Sequence, residues 1–238
     1  MTAERELRQL VARAGQVLAA LGLVDYLGHA SARVPGTDRV VVKPKHSPTV
    51  RSTAGLGPER MIIVDLDGRL LEGGPGGTDR PPAEVFIHTE IYRARPDVGC
   101  VVHTHQRSAT LAGVLGLPIE PVLHVPATFL DRTPPTWPNP VLVDTPELGR
   151  ALAGALGGER FCHLQGHGIV SVGEGVREAT VGAAMLEQLA EAALTAASTG
   201  TRPRVISPHE IATLRGQVAG VEGRWAYFCQ LAGIEEAA

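Results

Sequence analysis

His103 and His105 are the residues whose types and spacing point most directly to chemistry. They close the run Cys100-Val-Val-His-Thr-His105, in which apolar residues lead into two imidazoles. The run reads as a buried strand over Val98–His103. Side chains alternate across a strand, so His103 and His105 project to the same side. Two imidazoles converging at a strand end are half of a divalent metal site. Two further positions could complete it. Glu84 stands near the start of a helix read over Ala83–Arg95, and His167 opens a strand within Leu164-Gln-Gly-His-Gly-Ile-Val170. Glycines on both sides of His167 would let the backbone approach a site closely. Three histidines with an open position are the pattern of a catalytic centre rather than a closed structural one. A nearby carboxylate can ligate the metal or carry a proton. Each residue also has a plainer reading. Glu84 is favoured at any helix N-terminus, His167 could be a turn residue, and His88 could be a buried polar side chain held by a backbone partner.

The elements that must position these residues follow from periodicity. Leu7, Leu10, Val11, Ala14, Val17, Leu18 and Leu21 make a helical stripe over 4–22, ended by Gly22. Short strands read at Gly28–Arg33 and Val40–Val42. A hairpin reads at Met61–Leu71 around the turn Asp65–Gly68. Pro82 opens the helix of Glu84 and Pro96 stops it. A short helix reads over Ser108–Leu115, and residues 125–140 hold five prolines, a candidate loop over a site. Strands read at Val141–Val143 and Gly168–Val172, with a helix over Pro146–Leu156 between them. A long helix reads over Val176–Ser198. The capping-box spacing of Ser207 and Glu210 starts a last helix. Mixed strands and helices without strict alternation, repeats or a linker argue for one α/β domain over 1–238.

Composition narrows the function classes. The 238 residues carry a net charge of -3 and 4% aromatics, so neither an electrostatic footprint for nucleic acid nor a base-stacking platform is expected. No apolar run reaches a membrane-spanning length, so no membrane partner is expected. The charged first residues carry no apolar leader segment. Three distant cysteines, Cys100, Cys162 and Cys229, form no disulfide framework. The expected location is the reducing cytoplasm.

Six motifs, in this order and spacing, resemble the class II aldolase/adducin family over about residues 5–230. They are Gly28-His-Ala-Ser-Ala-Arg33, Val64-Asp-Leu-Asp-Gly68, Pro82-Ala-Glu84 with His88 and Ile91-Tyr92, Arg95-Pro-Asp-Val98, Val101-Val-His-Thr-His105 and Gly166-His-Gly168. The resemblance implies an α/β fold whose central, mainly antiparallel sheet is flanked by helices. It implies a divalent metal held by His103, His105 and His167, with Glu84 as a further ligand or acid/base. It also implies a homotetramer with the active site at a subunit interface. Zinc, manganese, iron and cobalt all suit such a donor set.

Three departures from the sugar-phosphate aldolase pattern shape the expected activity. His29 stands where those aldolases carry Asn. The phosphate loop is replaced by Val42-Lys-Pro-Lys-His-Ser-Pro48, whose cations Lys43, Lys45 and His46 suit a carboxylate as well as a phosphate. The His-Tyr pair whose phenol gives a proton reads His124-Val125 here. These features resemble the decarboxylase branch of the family, which acts on hydroxylated aromatic or heteroaromatic dicarboxylates. The expectation is a metal-dependent carbon–carbon lyase, a decarboxylase ahead of an aldolase, with an Fe(II)-dependent oxygenase and a non-catalytic adducin-like module as further alternatives. Glu84 and His124 are the expected catalytic residues, Glu84 with its pKa raised by desolvation. His29, Ser31, Lys43 and Arg80 are the expected contacts for a small-molecule carboxylate. A Trp225-Ala-Tyr227 element near the C-terminus also resembles that branch, and reads equally as a helix packing aromatics on the core.

Overall fold

The computed structural model describes residues 3–77, 79–218 and 220–234. The chain opens with helix α1 (Ala3–Ala20), then strands β1 (His29–Arg33), β2 (Val40–Val42), β3 (Ile62–Val64) and β4 (Leu70–Glu72). Helix α2 (Val85–Ala94), strand β5 (Cys100–Thr104) and helix α3 (Arg107–Leu115) follow. Strand β6 (Thr136–Trp137), helix α4 (Pro146–Leu156) and strands β7 (Phe161–Leu164) and β8 (Gly168–Gly173) come next. Helices α5 (Val176–Thr199), α6 (Pro208–Gln217) and α7 (Val221–Leu231) close the chain. The strands form one sheet in the order β4-β3-β2-β1-β5-β8-β7-β6. Every pairing is antiparallel except β6 with β7. The expected mainly antiparallel sheet with helices on both faces is therefore what forms.

Strand alternation splits the interior into two cores. Ala30, Ala32, Val41, Cys100, Val102 and Ile169 face α1, α3, α5 and α7. Val42, Ile62, Val101, Val170 and Val172 face α2 and α4. The same alternation decides where the chemistry lies. His103 points to the side of Val101, toward α2. Its cross-strand partner on β1 is His29, and Ser31 is partner to Val101, so all three polar side chains emerge on the α2 face.

The structure departs from the sequence reading at three elements. Val141–Val143 is not a strand; the edge strand is Thr136–Trp137, pairing in parallel with β7. Pro138 and Pro140 interrupt this stretch, and the Val143 N–H donates to a Glu84 carboxylate oxygen instead of to a ladder. Helix α2 starts at Val85 rather than Ala83, with Glu84 in a turn at its N-cap. The last helix is two: the capping box at Ser207 and Glu210 opens α6, and α7 follows separately.

Candidate active site

Four side chains converge where β5 ends, β8 begins and α2 starts. Glu84, His103, His105 and His167 each bring one ligand atom to a common point, all within 4.8 Å of one another. The Nε2 atoms of His103 and His105 are 3.0 Å apart. Glu84 Oε2 lies 3.6 Å from His103 Nε2, and Glu84 Oε1 lies 3.4 Å from His167 Nε2. Close approach of two strand ends makes this possible. A Cβ at Gly168 would stand 2.3 Å from the Thr104 carbonyl oxygen, so only glycine lets β8 begin beside His105. Gly28, in the left-handed region at φ 79°, turns the chain so that His29 meets His103.

The donors fit a divalent transition ion. Nδ1–H of His103 donates to the Ile169 carbonyl at 2.9 Å, which leaves the Nε2 lone pair aimed at the cluster. Burial pushes the His103 imidazole down to about 3, against the opposing pull of Glu84. Burial and the neighbouring His167 also lower His105. Burial works against charge on Glu84 too. The hydrogen bond to His167, the attraction of His103 and His167 and the Val143 N–H outweigh it, holding the carboxyl at about 2. Neutral imidazoles and an ionised carboxylate are the ligand states a metal requires. The expectation that desolvation raises the Glu84 pKa is thus reversed. The direction of the shift favours the ionised carboxylate, the form that could ligate a metal.

Behind the cluster runs a buried polar chain. His29 Nδ1 meets His88 Nε2 at 2.7 Å, His88 Nδ1 meets Ser31 Oγ at 2.7 Å, and Ser31 Oγ meets Tyr92 Oη at 2.7 Å. His29 Nε2 faces Glu84 Oε2 at 4.0 Å. His88 is fully buried and is held both by these two side chains and, as the sequence reading allowed, by a backbone group, that of Val101. The spacing of Glu84, His88 and Tyr92, four residues each, places them on one side of α2, and this was the signal that could have linked them. Ser31 therefore lies one layer behind the site and is a partner of His88, not a surface a substrate touches.

A cavity of about 340 Å³ opens beside the cluster. Glu84, His105 and His167 line it together with His29, and so do the cationic or basic side chains Lys43, Lys45 and His46. Tyr26, Leu27, Pro82 and Leu142 supply apolar walls that no sequence pattern marked. Lys43 is buried, its ammonium donating to the Tyr26 carbonyl at 2.9 Å and lying 3.4 Å from Thr53 Oγ1. Burial lowers its pKa to about 8, with Asp25 pulling the other way. Arg80 is exposed and does not line this cavity; its guanidinium bonds the Asp79 carbonyl, and its own carbonyl accepts from the Lys45 N–H at 2.8 Å. His124 is likewise exposed and absent from the lining. A larger cavity of about 640 Å³ lies elsewhere, around Arg33, Asp97 and Glu174, and holds none of the four converging donors.

Fold and site together define the class. The model of the class II aldolase and adducin N-terminal domain matches residues 9–194, and the chain belongs to that family. A 3,4-dihydroxyphthalate decarboxylase of Terrabacter sp. strain DBF63 is 34% identical over 87% of this chain and 88% of its own length. One from Arthrobacter keyseri is 32% identical over 97% of this chain and 94% of its own. An aldolase II superfamily protein from Pseudomonas syringae has the same fold, with a TM-score of 0.80 at 22% identity over 98% of this chain and 94% of that one. Within the family the chain is a carbon–carbon lyase, with decarboxylation favoured over aldol cleavage.

Proposed function

We propose that this chain is a metal-dependent decarboxylase of a hydroxylated aromatic or heteroaromatic dicarboxylate. The observation that carries the reading is the lining of one cavity. Three of the four side chains that could hold a metal, a buried lysine and apolar walls all border the same space. A flat ring with oxygens on adjacent carbons and a second carboxylate matches that distribution. The full-length similarity to dihydroxyphthalate decarboxylases supports the same substrate class.

Breaking a carbon–carbon bond leaves an electron pair that needs a sink. A divalent ion held by His103, His105, His167 and Glu84 supplies a Lewis acid for it. Zinc, manganese, iron and cobalt all suit the donor set. The chain's own residues do the rest. Lys43 neutralises the carboxylate that is retained, and its burial makes the pairing stronger than a surface contact. Lys45 and His46 add positive charge and hydrogen bonding to the same lining. His29 stands beside Glu84. Tyr26, Leu27 and Leu142 exclude water from the ring.

A CO2-release assay on ortho-hydroxy aromatic dicarboxylates tests the reading. Turnover that depends on added divalent metal is expected. No CO2 from that panel, together with aldehyde release from a sugar phosphate, overturns it in favour of an aldolase. The reading includes one functional unit over 1–238, a homotetramer and a cytoplasmic setting. The buried thiols of Cys100, Cys162 and Cys229, none of them in a disulfide, are compatible with that setting. A catalytic role for His124 requires the tetramer, since a neighbouring subunit would have to carry this exposed side chain to the site.

A further inference from the structure

We infer that Tyr92, Ser31 and His88 form a tautomer lock that holds His29 with its proton on Nε2, as a hydrogen-bond donor to the substrate. The inference rests on the decarboxylase reading only for what His29 contacts; the lock itself is a property of the protein.

The chain of contacts is continuous and buried. Three successive separations of 2.7 Å link Tyr92 Oη, Ser31 Oγ, His88 and His29 Nδ1. His88, Ser31 and Tyr92 are at most 1% exposed, and His29 is 5% exposed. An imidazole with one proton has one donor nitrogen and one acceptor nitrogen. The contact between His29 Nδ1 and His88 Nε2 therefore has one hydrogen in it. If His88 donates, His29 must carry its own proton on Nε2, toward Glu84 and the cavity. If His29 donates, its Nε2 is a bare lone pair. The two rings cannot choose independently.

The sense taken at the far end passes along the chain. Ser31 Oγ touches two groups, and a hydroxyl has one proton to give. When Tyr92 donates to Ser31, Ser31 is free to donate to His88 Nδ1. His88 then donates from Nε2 to His29 Nδ1, and His29 presents N–H at the cavity. The near end favours the same sense. Glu84 is an acceptor only, and its Oε2 lies 4.0 Å from His29 Nε2, so a lone pair aimed at the carboxylate would be repelled where an N–H is attracted. A backbone hydrogen bond with Val101 also competes for the His88 proton, and the sense of the chain is the quantity to measure.

Arg33 holds the outer end in place. Its guanidinium carbon stands 4.9 Å over the Tyr92 ring, and it donates to the Tyr92 carbonyl. Tyr92, Ser31 and His88 touch neither cavity nor cluster, so they are positioning residues. His29 is the catalytic contact, giving a hydrogen bond to the substrate oxygen on which charge develops.

The test is a long-range 1H–15N correlation spectrum of the zinc-loaded protein, uniformly labelled, with His29 assigned by a His29→Gln variant. The wild type is expected to show His29 protonated on Nε2 alone. Tyr92→Phe keeps the ring under Arg33 and deletes only the first donor. It is expected to give averaged His29 tautomers and to lower kcat about tenfold, the worth of one lost hydrogen bond to a charged transition state. KM and bound zinc are expected to stay within twofold. A wild-type His29 protonated on Nδ1 overturns the inference. So does a Tyr92→Phe protein whose His29 signals match the wild type. Both readings come without substrate, so a failed decarboxylase assay leaves the lock standing or falling on its own.

Discussion

The two faces of one sheet do different work. On the α5 side the strands present Ala30, Ala32, Val41, Cys100, Val102 and Ile169 to helices rich in Ala, Leu and Val. Several buried polar groups there are closed locally: Ser171 donates to Ala179, Thr180 to Val176 and Gln106 to Ala183, all backbone carbonyls. On the α2 side the same strands present His29, Ser31 and His103, which meet Glu84, His88 and Tyr92. Adjacent residues of β5 thus belong to opposite regimes, Val102 to an apolar core and His103 to a polar cluster that could hold a metal. A buried apolar face tolerates exchange of shape at modest cost, whereas a buried polar face depends on every partner being present. Stability and chemistry are therefore separable here by substitution.

The largest separation is expected between His103→Ala and Leu186→Ala. Removing His103 takes away a central ligand and leaves Glu84 beside an uncompensated space. Activity should fall about a thousandfold, the loss of several kcal/mol of transition-state stabilisation, with bound metal reduced in elemental analysis. A His103→Ala protein that kept metal and turnover would remove the basis of the site. Leu186, 1% exposed in α5, makes the opposite case. Its truncation should cost ~2–5 kcal/mol of unfolding free energy, read by denaturant titration, with kcat unchanged below the melting transition. If kcat fell in step with stability, the two faces would not be independent.

Gly168→Ala tests the seam between the faces. Its new Cβ would meet the Thr104 carbonyl at 2.3 Å, and that atom is backbone and cannot swing aside. The β5 and β8 ends must move apart, carrying His105 from His167. Metal affinity should drop about 10–100-fold, as for disturbed supporting shells, measured by competition with a chelator.

Legibility followed the same division. Apolar alternation revealed the strands of the sheet interior, and helix stripes with caps revealed α1, α4 and α5. The convergence of His103, His105 and His167 was readable because metal chemistry needs particular side chains at particular spacings. The charge state of Glu84 was not, since it depends on the Val143 N–H and on imidazoles from β5 and the β7–β8 turn, contacts made only on folding. Leu142 was read within a strand and turned out to wall the cavity. A residue that packs against a ligand rather than a core follows no periodicity. Arg80 and His124 carry suitable chemistry, yet the fold leaves both outside the cavity of their own chain.

Lys43 gives a smaller effect with a definite sign. Burial sets its pKa near 8, so it is an ammonium below that pH and a neutral amine above it. A retained carboxylate loses its partner as pH rises through about 8. KM should climb above that point, and Lys43→Met should raise KM about 10–100-fold at pH 7 while removing the pH dependence. The magnitude is that of a truncated charged hydrogen bond. A KM profile flat from pH 7 to 9 in the wild type would place the carboxylate elsewhere, with Lys45 and His46 as the other basic side chains of the lining outside the cluster.

The smallest effect is expected from a residue that chemistry alone could mistake for part of the site. Trp225 and Tyr227 lie two positions apart on α7, which turns them to opposite sides of the helix. Trp225 is fully buried in the α5-side core, while Tyr227 is 55% exposed. The pair divides as the whole molecule does, between packing and open surface. Trp225→Ala should cost ~3–5 kcal/mol of stability, the range for a buried aromatic. Tyr227→Ala should change stability by less than about 0.5 kcal/mol, as exposed substitutions do. If Tyr227→Ala instead lowered kcat/KM tenfold with stability unchanged, its exposed face would have to meet a site in another subunit. The two faces of a single chain would then no longer suffice to describe the active centre.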